Sequence, residues 1–186
     1  MAAVKARLAS GNAHKLEELR AALPDWELEL LETAPPYPPE DGADYYENAR
    51  GKASFGRETA GEDEWVLGED SGIEAAALGG APGLASARWA DDGVARLLAE
   101  LEGAADRSAR FVCEIVALGP DGEERRGSGI LEGTISDGRR GDEGFGYDPI
   151  FVPVGERQTV AELGDEWKRT ASHRARAAAA LRAAMA

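Results

Sequence analysis

The run Gly141-Asp142-Glu143-Gly144-Phe145-Gly146-Tyr147-Asp148-Pro149-Ile150-Phe151 sets glycines, aromatics and an exposed-looking carboxylate directly before a short β-like segment, Ile150 to Val152. Glycine lets the backbone approach a ligand closely or adopt φ > 0. An aromatic offers a flat face to a base, and main-chain groups with Asp148 can read polar edges. On its own the run fits a glycine-rich hairpin loop with packed aromatics as well as it fits a nucleobase pocket. Upstream, Ser10-Gly11-Asn12 follows a strand-like segment and leads into a helix beginning with His14 and Lys15. A helix start presents unpaired N–H groups and partial positive charge, so it can seat an anion. A lysine in that first turn opposes the dipole by a few tenths of a kcal/mol. An anion there would remove the penalty; capping by Ser10 or Asn12 with an exposed lysine accounts for the pattern equally well.

Two further groups carry charge in suggestive places. Glu47, within Tyr46-Glu47-Asn48-Ala49, and Asp70, within Glu69-Asp70-Ser71-Gly72, are carboxylates of the kind Mg²⁺ takes, a few at a time, together with waters and substrate phosphates. Among 35 acidic residues Glu47 also fits a solvated helix face, and Asp-Ser-Gly after an apolar run reads as either a turn or a site. In Lys168-Arg169-Thr170-Ala171-Ser172-His173-Arg174, Ser172 can cap a helix, which places His173 and Arg174 at its positive end. No GxxxxGK[ST], GxGxxG or HExxH pattern occurs, so a Walker-type NTPase, a dinucleotide dehydrogenase and a zincin are unsupported.

The elements that must position these groups follow from periodicity. Val4 to Leu8 alternates as a half-buried strand, and Leu16, Leu19 and Leu23 recur at helical spacing until Pro24. Pro35-Pro36-Tyr37-Pro38-Pro39 predicts a stiff loop, and a helix is expected from about Asp44 to Thr59. Glu64 to Leu67 predicts a short strand with Glu69 to Gly72 at its end, and extended structure resumes over Ile73 to Leu78. Asp91 or Asp92 caps a helix whose Val94, Leu97, Leu98 and Leu101 share one face. Strands Arg110–Leu118 and Arg125–Ile135 flank a turn at Pro120-Asp121-Gly122, and an alanine-rich helix runs from Ser172. Interleaved strands and helices predict an α/β class with a mixed sheet.

A chain of 186 residues, 43% hydrophobic, suits a single domain, residues 1–186, with two lobes. The lone Cys113, inside an apolar run, excludes an intramolecular disulfide and reads as a core thiol. A net charge of −14 argues against gripping nucleic-acid polymers, though not against a small phosphorylated ligand. No apolar run suits a membrane span and no signal-like segment opens the chain, so a cytoplasmic location is expected.

Taken together in order, the clusters resemble the motifs of the non-standard purine NTP pyrophosphatases, the ITPase/XTPase family. Ser10-Gly11-Asn12-Ala13-His14-Lys15-Leu16-Glu17-Glu18-Leu19 resembles its opening motif, Glu47-Asn48-Ala49 its ENA segment and Glu69-Asp70-Ser71-Gly72-Ile73 its (D/E)DSGL. Leu78 to Gly83 with Ser86-Ala87-Arg88-Trp89 is similar to LGGAPG…SAR(Y/W), Gly144 to Phe151 to GFGYDPIF, and Ser172-His173-Arg174 to SHR. Glu69 stands where many bacterial members carry Asp, and Ala175 where Gly is common.

The resemblance implies an ITPase-like α/β fold, an elongated mixed β-sheet flanked by helices with two lobes and a central nucleotide-binding cleft, in a homodimer. It also implies Mg²⁺-dependent hydrolysis of ITP, dITP and XTP to the monophosphate and pyrophosphate. The substrate contacts expected are Lys15 and the N–H groups of Ser10, Gly11 and Asn12 on the phosphates, Phe145, Gly146, Tyr147, Asp148, Lys168, His173 and Arg174 on the base, and Ala13, His14 and Ser71 as further substrate-binding residues. Glu47 and Asp70 are the expected metal ligands, and Asp70 the catalytic base, with Glu69 beside it as the other candidate. Two rivals stand beside this reading: a nucleotide sensor that binds without hydrolysis, and a phosphatase releasing single phosphates from sugar phosphates.

Overall fold

Alternation in Val4-Lys5-Ala6-Arg7-Leu8 makes strand β1 (Val4–Leu8), with Ala6 and Leu8 buried. In the computed structural model, which describes residues 3–32 and 37–186, it is followed by helix α1 (Ala13–Ala22) and strand β2 (Trp26–Leu30). Helix α2 (Tyr45–Arg57), strand β3 (Trp65–Ala75) and helix α3 (Gly93–Glu100) come next, then strands β4 (Ser108–Leu118) and β5 (Glu124–Ile135). The short strand β6 (Phe151–Pro153) precedes helices α4 (Val160–Ala171) and α5 (His173–Met185). The described strands form one mixed sheet in the order β2-β1-β3-β4-β5-β6, parallel between β1 and both of its neighbours and antiparallel between β5 and β6. Pro35 and Pro36 of the expected stiff loop lie outside the described residues.

The chain divides into two compact units, the first comprising residues 1–70, 113–129 and 174–186, the second 71–112 and 130–173. The core of the first is built from Leu8, Leu19, Leu23, Leu67, Ile115 and Leu181, with small alanines of α5 filling between them. The core of the second gathers Ile73, Leu97, Leu101, Ile150 and Phe151, and the Phe111 and Phe151 rings meet at 4.5 Å with a 48° tilt.

Expected and observed elements differ in several places, one being that extended structure, expected to Leu78, ends at Ala75 and gives way to a short 3-10 helix, Ala76–Leu78. Glu69-Asp70-Ser71-Gly72 is not a turn: β3 runs unbroken through it, because its polar side chains find partners within the fold rather than in solvent. Strand β2 escaped notice although Trp26-Glu27-Leu28-Glu29-Leu30 alternates cleanly. Helix α4 escaped as well. Its Thr159–Glu162 capping box is legible, but Gly164, with φ 81° and ψ 177°, interrupts the helical pattern. The Glu143 carboxylate crosses from the glycine run to accept from Asp165 N at 3.0 Å, restarting the helix after the break.

Two glycines bring helices unusually close to the first unit's strands. A Cβ at Gly68 on β3 would overlap the Ala49 carbonyl of α2 and lie 2.6 Å from Ala53 N. One at Gly127 on β5 would overlap the Ala177 carbonyl of α5 and lie 2.6 Å from Leu181 N. Replacing Gly68 by alanine is therefore expected to destabilise the protein by at least about 1–3 kcal/mol, the cost of overpacking. Urea unfolding measures it; a midpoint equal to wild type would show that α2 does not need this approach.

Candidate functional site

In the first unit, β1 pairs in parallel with β3, with Leu8 opposite Leu67. The loop after β1 therefore emerges beside the part of β3 that continues past its partner, and Ala9 N donates to Leu67 O at 2.8 Å. Ligands of open α/β sheets gather at such carboxyl ends of parallel strands. Asn12 caps α1, its Oδ1 accepting from His14 N at 3.0 Å and Lys15 N at 3.3 Å. Ser10 N donates to Leu8 O at 3.0 Å and Asn12 N to Ser10 Oγ at 3.1 Å. The backbone donors of Ser10 and Asn12 are thus committed within the loop, and Gly11, Ala13 and His14 are exposed. The cation at this helix start is Lys15, partly buried, with Nζ 2.6 Å from Glu69 Oε2.

Glu69 is fully buried on β3 and ringed by donors. Arg174 Nε and Nη2 bond its Oε1 at 3.2 and 2.9 Å, and the Cys113 thiol donates to the same oxygen at 3.3 Å. Burial alone would push this carboxyl up, but Arg174, then Lys15, outweigh it and hold it well below the usual carboxylate range. Burial and the Glu69 charge push the Cys113 thiol well above its ordinary value, so it is an inert core thiol, as its apolar run suggests. Arg174, expected to read a purine carbonyl, is itself buried here and its guanidinium bonds Glu69 and Glu18.

Asp70, the next residue, is held differently. Its Oδ1 accepts from Lys52 Nζ at 2.8 Å and its Oδ2 from Asn48 Nδ2 at 3.1 Å. Lys52 also donates to Glu69 O at 3.1 Å and lies 2.5 Å from Glu40 Oε1. Burial raises the Asp70 carboxyl above its ordinary value despite Lys52 and Asn48. A cavity of about 310 Å³ is lined here by Glu40, Asp41, Glu47, Asn48 and Lys52, among others. Glu47 is exposed, and its carboxylate accepts from Ala43 N at 2.8 Å, completing the cap of α2 with Asp44. Sequence reasoning missed Glu40 and Lys52. The i, i+4 spacing of Asn48 and Lys52 on one helix face was the available signal; nothing local distinguished Glu40.

In the second unit, Asp148 corrects an expectation: the carboxylate that looks exposed in the sequence is 4% exposed. Its Oδ2 takes Lys168 Nζ at 2.7 Å and Phe145 N at 2.9 Å, and both charged side chains are buried. The Lys168 ammonium also stands 4.8 Å from the centre of the half-buried Phe145 ring. Tyr147 belongs to the core and its hydroxyl donates to Ser86 O at 3.0 Å, while Gly146 is exposed with φ 60°. His173 is stacked on Phe111 at 4.6 Å and 11°. Ser71 lies half-buried on β3 in this unit. Lys168, Asp148 and Phe145 therefore form one constellation, and Lys15, Glu69, Asp70 and Lys52 another.

Among the described residues no helix is long and apolar enough to cross a membrane. The family model of the Ham1 family matches residues 6–184. The dITP/XTP pyrophosphatase of Deinococcus deserti is 43% identical, over 95% of this chain and 87% of its own. That of Gloeobacter violaceus is 44% identical, over 91% and 88%. Among solved structures, the Staphylococcus aureus Ham1 protein aligns with a TM-score of 0.83 at 36% identity, covering 96% of each chain. The dITP/XTP pyrophosphatase of Mycobacterium abscessus aligns with a TM-score of 0.73 at 40% identity, over 96% of this chain and 97% of that one. With the family model and the relatives matching over nearly the whole length, the chain belongs to the Ham1 family.

Proposed function

We propose that the protein hydrolyses ITP, dITP and XTP to the monophosphate and pyrophosphate, with water attacking the α-phosphorus. The observation that carries this reading is the parallel pairing of β1 with β3, which sets a lysine at a helix start beside a strand bearing a buried aspartate. The names of the relatives, dITP/XTP pyrophosphatases, support the same reaction class.

In this reading Lys15 receives the outer phosphates as a compact point charge, and Lys52 adds a second cation near Asp70. Asp70 takes the proton from the attacking water; beside a bound cation its carboxylate stays ionised, so it is a weak base and activation of the water by the ion would supply much of the effect. The donor set around this cavity and Asp70 is carboxylate oxygen without histidine or thiolate, which fits a hard cation such as Mg²⁺. Asp70 would hold it with one further carboxylate, either Glu40, which shares Lys52 with Asp70, or Glu47, which lines the same cavity as Glu40. When bound, the ion would neutralise phosphate charge and acidify the water.

Lys168 and His173 would select the base. Hypoxanthine and xanthine carry a C6 carbonyl acceptor where adenine carries an amino donor, so a buried ammonium can donate to the first and meets a like donor in the second. Asp148 fixes that ammonium, and Phe145 offers a ring face beside it.

Incubation with ITP should release pyrophosphate and IMP; orthophosphate as the first product would overturn the reading in favour of a phosphatase, and no product at all in favour of a sensor. Asp70→Asn is expected to lower kcat by about tenfold to a thousandfold at saturating Mg²⁺ while leaving the thermal midpoint close to wild type. Turnover near wild type would remove Asp70 from the mechanism. Lys168→Met is expected to lower kcat/KM for ITP by roughly 5- to 150-fold and for ATP by much less. Equal losses for both nucleotides, in a variant that melts normally, would move base selection elsewhere.

A further inference from the structure

Glu69 has no task in the reading above, yet it is fully enclosed beside the lysine that receives phosphate. Three donors crowd its Oε1: Nε and Nη2 of Arg174 and the Cys113 thiol. They fix the plane of the carboxylate and leave Oε2 facing Lys15 Nζ at 2.6 Å. Arg174 is anchored in turn by Glu18, one turn along α1 from Lys15. Lys15 is the adaptable member of this chain of charges, with a flexible four-carbon stem and partial exposure. Successive side chains on β3 leave opposite faces of the strand, so Glu69 and Asp70 project away from each other.

We propose that Glu69 is a positioning residue: clamped by Arg174 and Cys113, it fixes the Lys15 ammonium where the substrate's phosphate is received, and it serves neither as metal ligand nor as base. The proposal rests on the reading of Lys15 as the phosphate lysine. In Glu69→Gln the single amide oxygen cannot serve Arg174 and Lys15 together. Two like charges then face each other, and Lys15, the more exposed, swings towards solvent or towards Asp70.

The test is a double-mutant cycle in ITP hydrolysis at saturating Mg²⁺, with wild type, Glu69→Gln, Lys15→Met and the double variant, each checked by thermal melting. Glu69→Gln is expected to raise KM by about tenfold with a smaller fall in kcat, and to change kcat/KM by less than about twofold in the Lys15→Met background. A loss that persists undiminished in that background would overturn the proposal, since Glu69 would then act on metal or water directly. Lys15→Met with an unchanged KM would overturn the phosphate-lysine reading and this proposal with it; a normal Lys15→Met loss with additive effects overturns this proposal alone. If Glu69→Gln does not fold, Glu69→Asp, which retracts the carboxylate by one methylene, replaces it in the same cycle. Its KM increase must likewise disappear with Lys15→Met.

Discussion

A carboxylate without access to water stays ionised only when cations and donors surround it, and Glu69 imposes that condition on the first unit. Its partners come from separate elements: Lys15 from α1, Arg174 from α5 and Cys113 from β4. Each of those elements must arrive with its side chain in place, or a buried charge is stranded. Stranding one partner of such a pair typically costs about 3–5 kcal/mol, a large share of a domain's stability. The network therefore ties folding to the start of α1, because the group that needs the cations sits where Lys15 enters its helix.

The close helix–strand contacts supply the geometry that the charges require. Gly68 lets α2 settle against β3, which carries Asn48 and Lys52 to the Asp70 carboxylate. Gly127 lets α5 settle against β5, and Arg174 opens that helix. Neither glycine needs a positive φ; what each provides is the absence of a side chain. Apolar packing alone would hold these helices at a wider spacing, with the charged groups out of reach of one another.

The legibility of this arrangement in the sequence was uneven for identifiable reasons. Alternating strands such as Val4 to Leu8 and capped helices such as the one after Asp44 follow local rules, and they stand where local rules put them. Glu69-Asp70-Ser71-Gly72 misled because polar residues and glycine imitate a turn wherever partners are out of view; the partners lie 17 to 105 residues away. Asp148 looked solvated for the same reason, since Lys168 is 20 residues distant. Motif residues could be named from their order along the chain, but not what each one touches. Arg174 stood out as a misplaced cation at a helix start, whereas its burial among carboxylates could come only from the fold.

One consequence of the broken helix α4 concerns stiffness. The glycine run and this helix are fastened at several points: Thr159 Oγ1 donates to Arg140 O at 2.7 Å, Glu143 receives Asp165 N, and Asp148 receives both Phe145 N and Lys168. At Gly141 a Cβ would lie 2.5 Å from the Ala161 carbonyl carbon, so the two segments are in contact there as well. A segment rich in glycine is thereby denied the freedom its composition would allow. A loop free to rearrange could turn its polar groups to suit whichever ligand arrived. A loop stapled to a helix presents one fixed edge, and a ligand that does not match that edge finds nothing willing to move.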